Sequence, residues 1–252
     1  MTELALSTAR DLDEGAKSPV GYTLVEGIAT LALDDGKVNA LSIETLRALH
    51  EALDRAERDE AVVLLAGRPG YLSAGFDLQT FGAGIEAVLE MLTLGAGLME
   101  RLLSFPRPVV VACSGHAVAA GSFLALAADA RIGAEGEFRI GLNEVKIGLT
   151  VPWFAIELAR HRLAPAHFDA AVITARMYDP TTAMTAGFLD RVVPAKQLGE
   201  SSKQAARELA ELNADAHAAT KLRARAGVLT RLREAIETEL TPEGLGSASP
   251  PH

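Results

Sequence analysis

The sequence has little of several residue types on which other classes of protein depend. Its 252 residues include one cysteine, Cys113, which excludes an intramolecular disulfide and a metal site built from several cysteines. Aromatic residues make up 5%, and 24 Lys and Arg face 33 Asp and Glu. The resulting net charge of −9 argues against a nucleic-acid partner and against a basic membrane-surface protein.

Targeting and cofactor-binding patterns are missing as well. Residues 1–19 are acidic and lack a basic start followed by an apolar core, so we expect no signal peptide. The six histidines are scattered, which predicts no metal site. Neither a complete dinucleotide fingerprint nor a phosphate-binding loop is present. These absences favour a cytoplasmic protein without a tightly bound cofactor.

One segment, residues 108–131, has the features of a site scaffold. Its apolar run predicts a buried strand over 109–112, a break over 114–116 and a buried helix over 117–128. The first amides of a helix have no partner inside it, so a turn at this point can direct N–H groups at a ligand. The run is almost long enough to cross a bilayer, but its polar and glycine residues argue against a membrane span. A strand and helix without any chemistry is the other interpretation of the same residues.

The rest of the chain alternates strands and helices and becomes helical from about residue 201. Further strands are predicted over 22–25, 28–33, 62–66, 131–134, 137–140 and 190–193. Ser42 is the expected cap of the first helix. An apolar stripe on the last helix is formed by Leu222, Leu229, Leu232, Ile236 and Leu240. By composition, 1–19 and 241–252 are expected to be flexible tails.

Five motifs resemble those of the crotonase superfamily, the enoyl-CoA hydratases and isomerases. They are DGKVNAL at 35–41, SAGFDL at 73–78, the whole of 109–129, GLNE at 141–144 and AGFLD at 186–190. The resemblance covers about 22–240 and implies the α/β ClpP/crotonase-like fold of repeated ββα units. It implies a core over 20–193 and a helical oligomerisation region over 194–240, in a homotrimer or homohexamer. It also implies an acyl-CoA substrate, with coenzyme A as part of that substrate.

The resemblance further implies two backbone N–H groups that hold the thioester oxygen while negative charge builds on it. Carried onto this chain, the two donors are Phe76 and Ala120. Glu144 matches one of two family carboxylates and is the expected base. The position of the other carboxylate holds Phe123, and Ala119 and Ala120 stand where family members often have glycine.

The remaining implied site residues form two groups. The residues expected to bind coenzyme A are Lys37, Val38, Ala40, Ser73, Ala74, Asp77 and Leu78. The residues expected to line the acyl pocket are Phe123, Trp153 and His116. The basic residues between Lys221 and Arg233 either reach a neighbouring subunit's coenzyme A or form a solvated helix face.

The matched residues favour isomerisation over hydration. The usual hydration scheme places water between two carboxylates, whereas one base beside an oxyanion hole can move a proton from C2 to C4 of a 3-enoyl thioester. The residues GLNE at 141–144 also resemble monofunctional Δ3,Δ2-enoyl-CoA isomerases. We therefore expect such an isomerase of fatty-acid metabolism, including β-oxidation. An enoyl-CoA hydratase and a non-catalytic acyl-CoA binder are the open alternatives.

Overall fold

The apolar runs of the sequence form the strands of the computed structural model, which describes residues 18–247. The strands in this part of the chain are β1 (Val20–Val25), β2 (Ile28–Leu33), β3 (Ala40–Leu41), β4 (Val62–Ala66), β5 (Gly70–Ser73), β6 (Gly75–Phe76), β7 (Val109–Cys113), β8 (Gly115–Val118), β9 (Ala130–Ala134), β10 (Ile140–Gly141) and β11 (Arg191–Val193). The helices are α1 (Ile43–Arg58), α2 (Ile85–Ser104), α3 (Ala120–Leu126), α4 (Trp153–Arg162), α5 (Pro165–Val172), α6 (Pro180–Ala186), α7 (Leu198–Ala210), α8 (Ala214–Glu239) and α9 (Pro242–Ser247).

The chain repeats a unit of two strands followed by a helix. The first strands of these units lie side by side in a six-stranded sheet of order β1-β2-β4-β7-β9-β11, in which only β1 and β2 pair antiparallel. The second strands form a small parallel sheet of order β10-β8-β5, and β3 pairs with β6. Because parallel neighbours end at the same edge, the segments that follow β5 and β8 start close together.

Both faces of the six-stranded sheet are covered, as is usual for parallel strands. Val63 and Leu65 of β4 lie in the larger core, to which helices α1 to α4 contribute. Val62 and Leu64 point to the other face, where α7 packs with Leu198. The helices that flank the site are therefore held by a sheet that is buried on both sides.

The first helix begins as the sequence predicts. The Ser42 side chain accepts a hydrogen bond from the Thr45 amide and caps α1. Leu46, Leu49 and Leu53 are buried on one face of this helix. This helix confirms that its start and its buried face can be identified from local signals.

Three boundaries differ from the predictions. Residues 115–118 form strand β8, not the start of a helix, because they pair with both β5 and β10. Of the strand expected over 137–140, only Ile140 belongs to β10. Residues 242–247 of the expected tail form α9, which packs against α2 and α8. The tail residues 1–17 and 248–252 lie outside the described part of the chain.

The buried face of α8 keeps four members of the predicted stripe, because Leu229, Leu232 and Leu240 are buried and Ile236 packs against the core, but it also takes in two cations. Leu222 is 46% exposed, whereas Lys221 and Arg225 are 6% and 8% exposed. The Asp129 carboxylate accepts hydrogen bonds from Lys221 Nζ at 2.6 Å and from the Val109 amide at 2.7 Å, and it forms an ion pair with Arg225 at 2.8 Å. A buried carboxylate from the end of α3 therefore turns two cations of α8 inward.

The other cations of this basic run are also used within the chain. Arg231 forms an ion pair with Glu157, and Arg233 with Glu100. Lys221 and Arg225 are buried, so these two cations face the protein interior. Arg223, Arg231 and Arg233 are exposed, and for them contact with a neighbour's coenzyme A stays a prediction. Within the described residues, no helix is both long and apolar enough to cross a membrane.

Candidate active site

A cavity of about 310 Å³ lies between the ends of the small sheet, α2 and the C-terminal helices. Its walls are mostly apolar, with Phe81, Ile85, Val88 and Leu92 along one side. The residues with polar side chains that line it are Asn143, Glu144, Thr150 and Glu239. A concave apolar site with few polar groups is the usual form of a small-molecule pocket.

The amide of Phe76 lies on the unpaired edge of β6. This strand pairs only with β3, and the next amide, that of Asp77, donates to Leu41 O at 3.3 Å. Successive N–H groups of a strand point to opposite sides, so the Phe76 N–H points away from β3. Its ring fills the space above Gly95 of α2, where a Cβ would lie 2.4 Å from the ring. The ring thus helps to fix the backbone at this position.

The amide of Ala120 is close to the same point. Ala120 is the first residue of α3, so its N–H has no partner inside the helix. A Cβ built on Gly75 would lie 3.3 Å from Ala120 N and 2.9 Å from Val118 O. Gly75 has φ +98°, which also favours glycine. The two backbone segments therefore approach each other only because residue 75 has no side chain.

The residue between β8 and α3 has a strained backbone. Ala119 has φ 51° and ψ −125°, a combination that a residue with a Cβ rarely adopts. Its amide donates to Gly141 O at 2.9 Å, and its side chain lines the cavity. Such strain persists only where the surroundings fix it and is concentrated at functional sites. The bend it makes directs the start of α3 at the cavity.

The Ser122 hydroxyl joins the start of α3 to the segment that carries Glu144. Ser122 Oγ donates to Ala117 O at 2.6 Å and accepts a hydrogen bond from the Gly141 amide at 3.1 Å. Gly141 is thereby held to both β8 and α3. The sequence analysis did not identify Ser122, because a serine among alanines gives no local signal of these partners.

Glu144 is a buried carboxyl group in the cavity wall. It is 7% exposed, and its Oε2 has no hydrogen-bond partner among the described residues. Burial raises the pKa of Glu144 from 4.5 to about 7, an effect that its own backbone amide partly offsets. The neighbouring Asn143 also has a buried, unpartnered Oδ1. A carboxyl with these properties can both accept and return a proton near neutral pH.

The segments expected to bind coenzyme A lie side by side. The Ala74 amide donates to Val38 O at 3.0 Å, and Ala40 stands opposite Gly75 where β3 pairs with β6. Ala74 and Leu78 line the cavity, and Lys37 is exposed at its loop.

The two other members of this group have partners within their own turn. Ser73 Oγ accepts from the Gly75 amide at 3.1 Å. The Asp77 carboxylate accepts from the Gln79 amide and the Thr80 hydroxyl, both at 3.1 Å. These two side chains shape the turn that carries Phe76.

Two of the three residues expected in the acyl pocket do not line this cavity. Phe123 lines it, but Trp153 is 59% exposed, and Pro152 occupies the wall instead. His116 packs between the rings of Tyr71 and Phe138, and its Nδ1 accepts from the Arg139 amide at 3.0 Å. Trp153 is the first residue of α4 and lies on the side of this helix that faces solvent.

Among the cavity-lining residues that could not be predicted from the sequence are Glu239 and Leu245. Both come from the region around the end of α8, where composition predicted a helix end and a tail. Leu245 is in the core through α9. No group of three or more potential metal ligands occurs within residues 18–247.

Known proteins resemble this chain over most of its length. The family profile described as enoyl-CoA hydratase/isomerase matches residues 23–242. A solved structure of an enoyl-CoA hydratase/isomerase family protein from Pseudomonas syringae is 48% identical, with a TM-score of 0.87 over 88% of this chain and 96% of that one. A Mycobacterium tuberculosis protein, described as an enoyl-CoA isomerase in one solved structure and as a probable enoyl-CoA hydratase in another, is 41% identical, with a TM-score of 0.85 over 88% of this chain and 97% of that one in the first of these structures.

A curated relative gives the same result. A putative enoyl-CoA hydratase from Thermus thermophilus is 35% identical over 198 residues, which are 73% of this chain and 75% of that protein. The superpositions confirm the predicted α/β fold of repeated ββα units with a helical C-terminal region.

Proposed function

This chain belongs to the enoyl-CoA hydratase/isomerase family, the crotonase superfamily, and from that premise we propose that it is a Δ3,Δ2-enoyl-CoA isomerase. Its substrate is a 3-enoyl-CoA thioester, and coenzyme A enters only as part of that substrate. The observation that carries the proposal is a cavity with a buried carboxyl, Glu144, beside two converging amides, while Phe123 fills the position of the second family carboxylate.

The proposed reaction uses the amides and the carboxylate together. The thioester oxygen accepts hydrogen bonds from the Phe76 and Ala120 N–H groups. Glu144 takes a proton from C2, and the electron pair of the C2–H bond forms an enolate that is conjugated with the 3,4 double bond. Return of the proton to C4 moves the double bond to C2–C3. Fixed amides stabilise this charge without reorganising, and each contributes about 3 kcal/mol.

The environment of Glu144 suits a group that takes and returns the same proton. At a pKa of about 7, ionised and protonated forms are both present near neutral pH. A purely binding protein gains nothing from this arrangement, because an ionised carboxylate without a hydrogen bond to Oε2 destabilises the folded state. The buried base therefore favours an enzyme over a non-catalytic acyl-CoA binder.

The other carboxylate of the cavity does not supply the missing partner for hydration. Burial raises the pKa of Glu239, which a hydrogen bond from the Trp153 amide partly offsets. That hydrogen bond, 2.7 Å long, already engages Glu239 Oε2. We therefore place hydration second, although the Thermus thermophilus relative is called a putative hydratase.

The test compares two substrates with two variants. We expect wild-type protein to convert 3-hexenoyl-CoA to 2-hexenoyl-CoA, followed by the absorbance of the conjugated thioester, and to form no 3-hydroxy product from crotonyl-CoA. Glu144→Gln should lower kcat by about 10²- to 10⁴-fold. Glu137→Gln, which changes an exposed carboxylate, is the matched control and should leave kcat unchanged.

Three results would contradict the proposal in distinguishable ways. Formation of 3-hydroxybutyryl-CoA without isomerisation would establish a hydratase. Tight binding of acyl-CoA esters without turnover over a range of chain lengths would establish a binder. Full activity of Glu144→Gln would remove this residue from the mechanism.

We also propose that the segments 37–40 and 73–78 hold coenzyme A, and that the protein is a homotrimer or homohexamer as its family resemblance implies. The pairing of β3 with β6, which joins the two segments, supports the first proposal. Lys37→Met should raise KM about tenfold with little change in kcat, because an exposed ammonium contributes to binding rather than to proton transfer. Sedimentation equilibrium measures the number of subunits.

A further inference from the structure

The second carboxylate of the cavity, that of Glu239, is held at one oxygen by a hydrogen bond from the backbone, and its other oxygen has no donor among the described residues. Glu239 is the last residue of α8, and its Oε2 accepts a hydrogen bond from the Trp153 amide at 2.7 Å. No donor to Oε1 occurs within residues 18–247. Because Glu239 lines the cavity, this free oxygen is available to a group that fills it.

The surroundings of Glu239 are apolar. Pro152, which precedes the Trp153 amide that Glu239 binds, and Leu245 also line the cavity, and α9, which carries Leu245, packs against α2. An alkyl chain in this region would remove water from the carboxylate without replacing its hydrogen bonds, which costs free energy. A group with an O–H or N–H donor would form a charge-assisted hydrogen bond there.

Glu239 and Glu144 reach the cavity wall from different elements, Glu239 at the end of α8 and Glu144 after β10. The wall segment 148–152 runs from the turn after Glu144 to the start of α4, where Glu239 binds the Trp153 amide. A thioester held by the amides of Phe76 and Ala120 would therefore have its reacting carbons near Glu144. An acyl chain long enough to cross the cavity from that point to Glu239 would bring its far end to the carboxylate.

We propose that Glu239 determines acyl-group specificity, so that the cavity prefers an acyl chain with a hydroxyl or other hydrogen-bond donor at its far end over a plain alkyl chain of equal length. This inference rests on the proposed function for the position of the thioester. It differs from the proposed reaction in that it concerns binding and needs no proton transfer.

The test measures binding by isothermal titration calorimetry, without turnover. The ligands are hexanoyl-, octanoyl- and decanoyl-CoA and their ω-hydroxy counterparts. At the length that reaches Glu239, wild-type protein should bind the ω-hydroxy ester about tenfold more tightly than the plain ester. Glu239→Met, which keeps the length of the side chain, should abolish or reverse this preference.

Two further variants separate specificity from stability. Glu239→Gln keeps an acceptor for the Trp153 amide while it removes the charge, and it should reduce the preference without loss of thermal stability. Glu237→Met replaces an exposed glutamate of the same helix and should keep the wild-type preference.

Equal affinities for plain and ω-hydroxy esters at every length in wild-type protein would overturn the inference, as would a preference that persists in both Glu239 variants. The preference together with an absence of isomerisation would overturn the proposed reaction alone. No binding of any acyl-CoA would overturn both.

Discussion

Gly75→Ala is the substitution that tests the paired amides most directly. An added Cβ would lie 2.9 Å from Val118 O and 2.9 Å from the Ala119 Cβ, where ordinary contacts begin at 3.4 Å. The neighbours must therefore move by about half an ångström. They belong to the backbone that leads into Ala120, so the movement displaces one of the two amides.

The size of the effect follows from this displacement. A shift of about 1 Å at a reacting group lowers the rate about 100-fold, and complete loss of an oxyanion donor costs about 3 kcal/mol. We expect Gly75→Ala to lower kcat/KM by about 10- to 100-fold, mostly through kcat, because the amide bonds strengthen as charge develops. The positive φ should add about 1–2 kcal/mol of lost stability. Isomerisation of 3-hexenoyl-CoA and calorimetric unfolding measure the two effects.

Gly27→Ala is the matched control. Gly27 has φ +74° in the turn between β1 and β2, and a Cβ there would meet no atom within 4 Å. It should lose a similar amount of stability and keep kcat/KM within about twofold of the wild type. If Gly75→Ala also kept full kcat/KM while it lost this stability, the two amides would not be the oxyanion site.

Three further predictions concern stability and pH. Burial raises the pKa of Glu144 from 4.5 to about 7, so ionisation of this carboxyl destabilises the folded state by about 3 kcal/mol above pH 7 and not at all below about pH 4.5. In urea unfolding, Glu144→Gln should therefore be more stable than the wild type at pH 8 but not at pH 4.5. The kcat/KM of the wild type should rise with pH through about 7, as the base becomes ionised. Ser122→Ala leaves the buried Gly141 amide without its acceptor, so we expect it to lower the free energy of unfolding by about 1–3 kcal/mol and to lower kcat. Unfolding and rate measurements test both effects. Ser122→Thr keeps the hydroxyl and should retain more of kcat. Asp129→Ala leaves two buried cations unpaired and should cost about 3–5 kcal/mol in urea unfolding, whereas Arg223→Ala at an exposed position of α8 should change stability by less than about 0.5 kcal/mol.

The family motifs predicted the parts of the site that follow strands. Phe76 and Glu144 line the cavity, and Ala120 follows Ala119, which also lines it. Parallel strands then bring such segments to one edge whatever their separation in the chain. The parallel pairing explains why motifs that lie far apart in the sequence come together at one site.

Features that depend on distant partners could not be predicted. Lys221 and Arg225 occupy the buried face of α8 because the Asp129 carboxylate, 92 residues from Lys221, accepts a hydrogen bond from Lys221 and forms an ion pair with Arg225. A cation in a helix is more often solvated, so the pattern alone predicted an exposed face.

The composition of the segment after α8 predicted a tail. Pro242 nevertheless begins α9, and packing against α2 stabilises this helix. Glu239 and Leu245 therefore joined the cavity wall without any local signal. Helix propensity is a weak predictor where tertiary contacts stabilise a segment, and here such contacts form the α9 helix that closes one side of the cavity.

Because β5 pairs with β8, the backbone that positions the two N–H groups is separate from the helix that lines the cavity. The spacing of the two N–H groups depends on the pairing of small-sheet strands, whereas Ile85 and Val88, which line the cavity, belong to α2. Substitutions along that helix can thus admit a bulkier or shorter substrate while the electrostatics at the carbonyl stay intact. A library restricted to those positions would diversify recognition on an unaltered reaction centre.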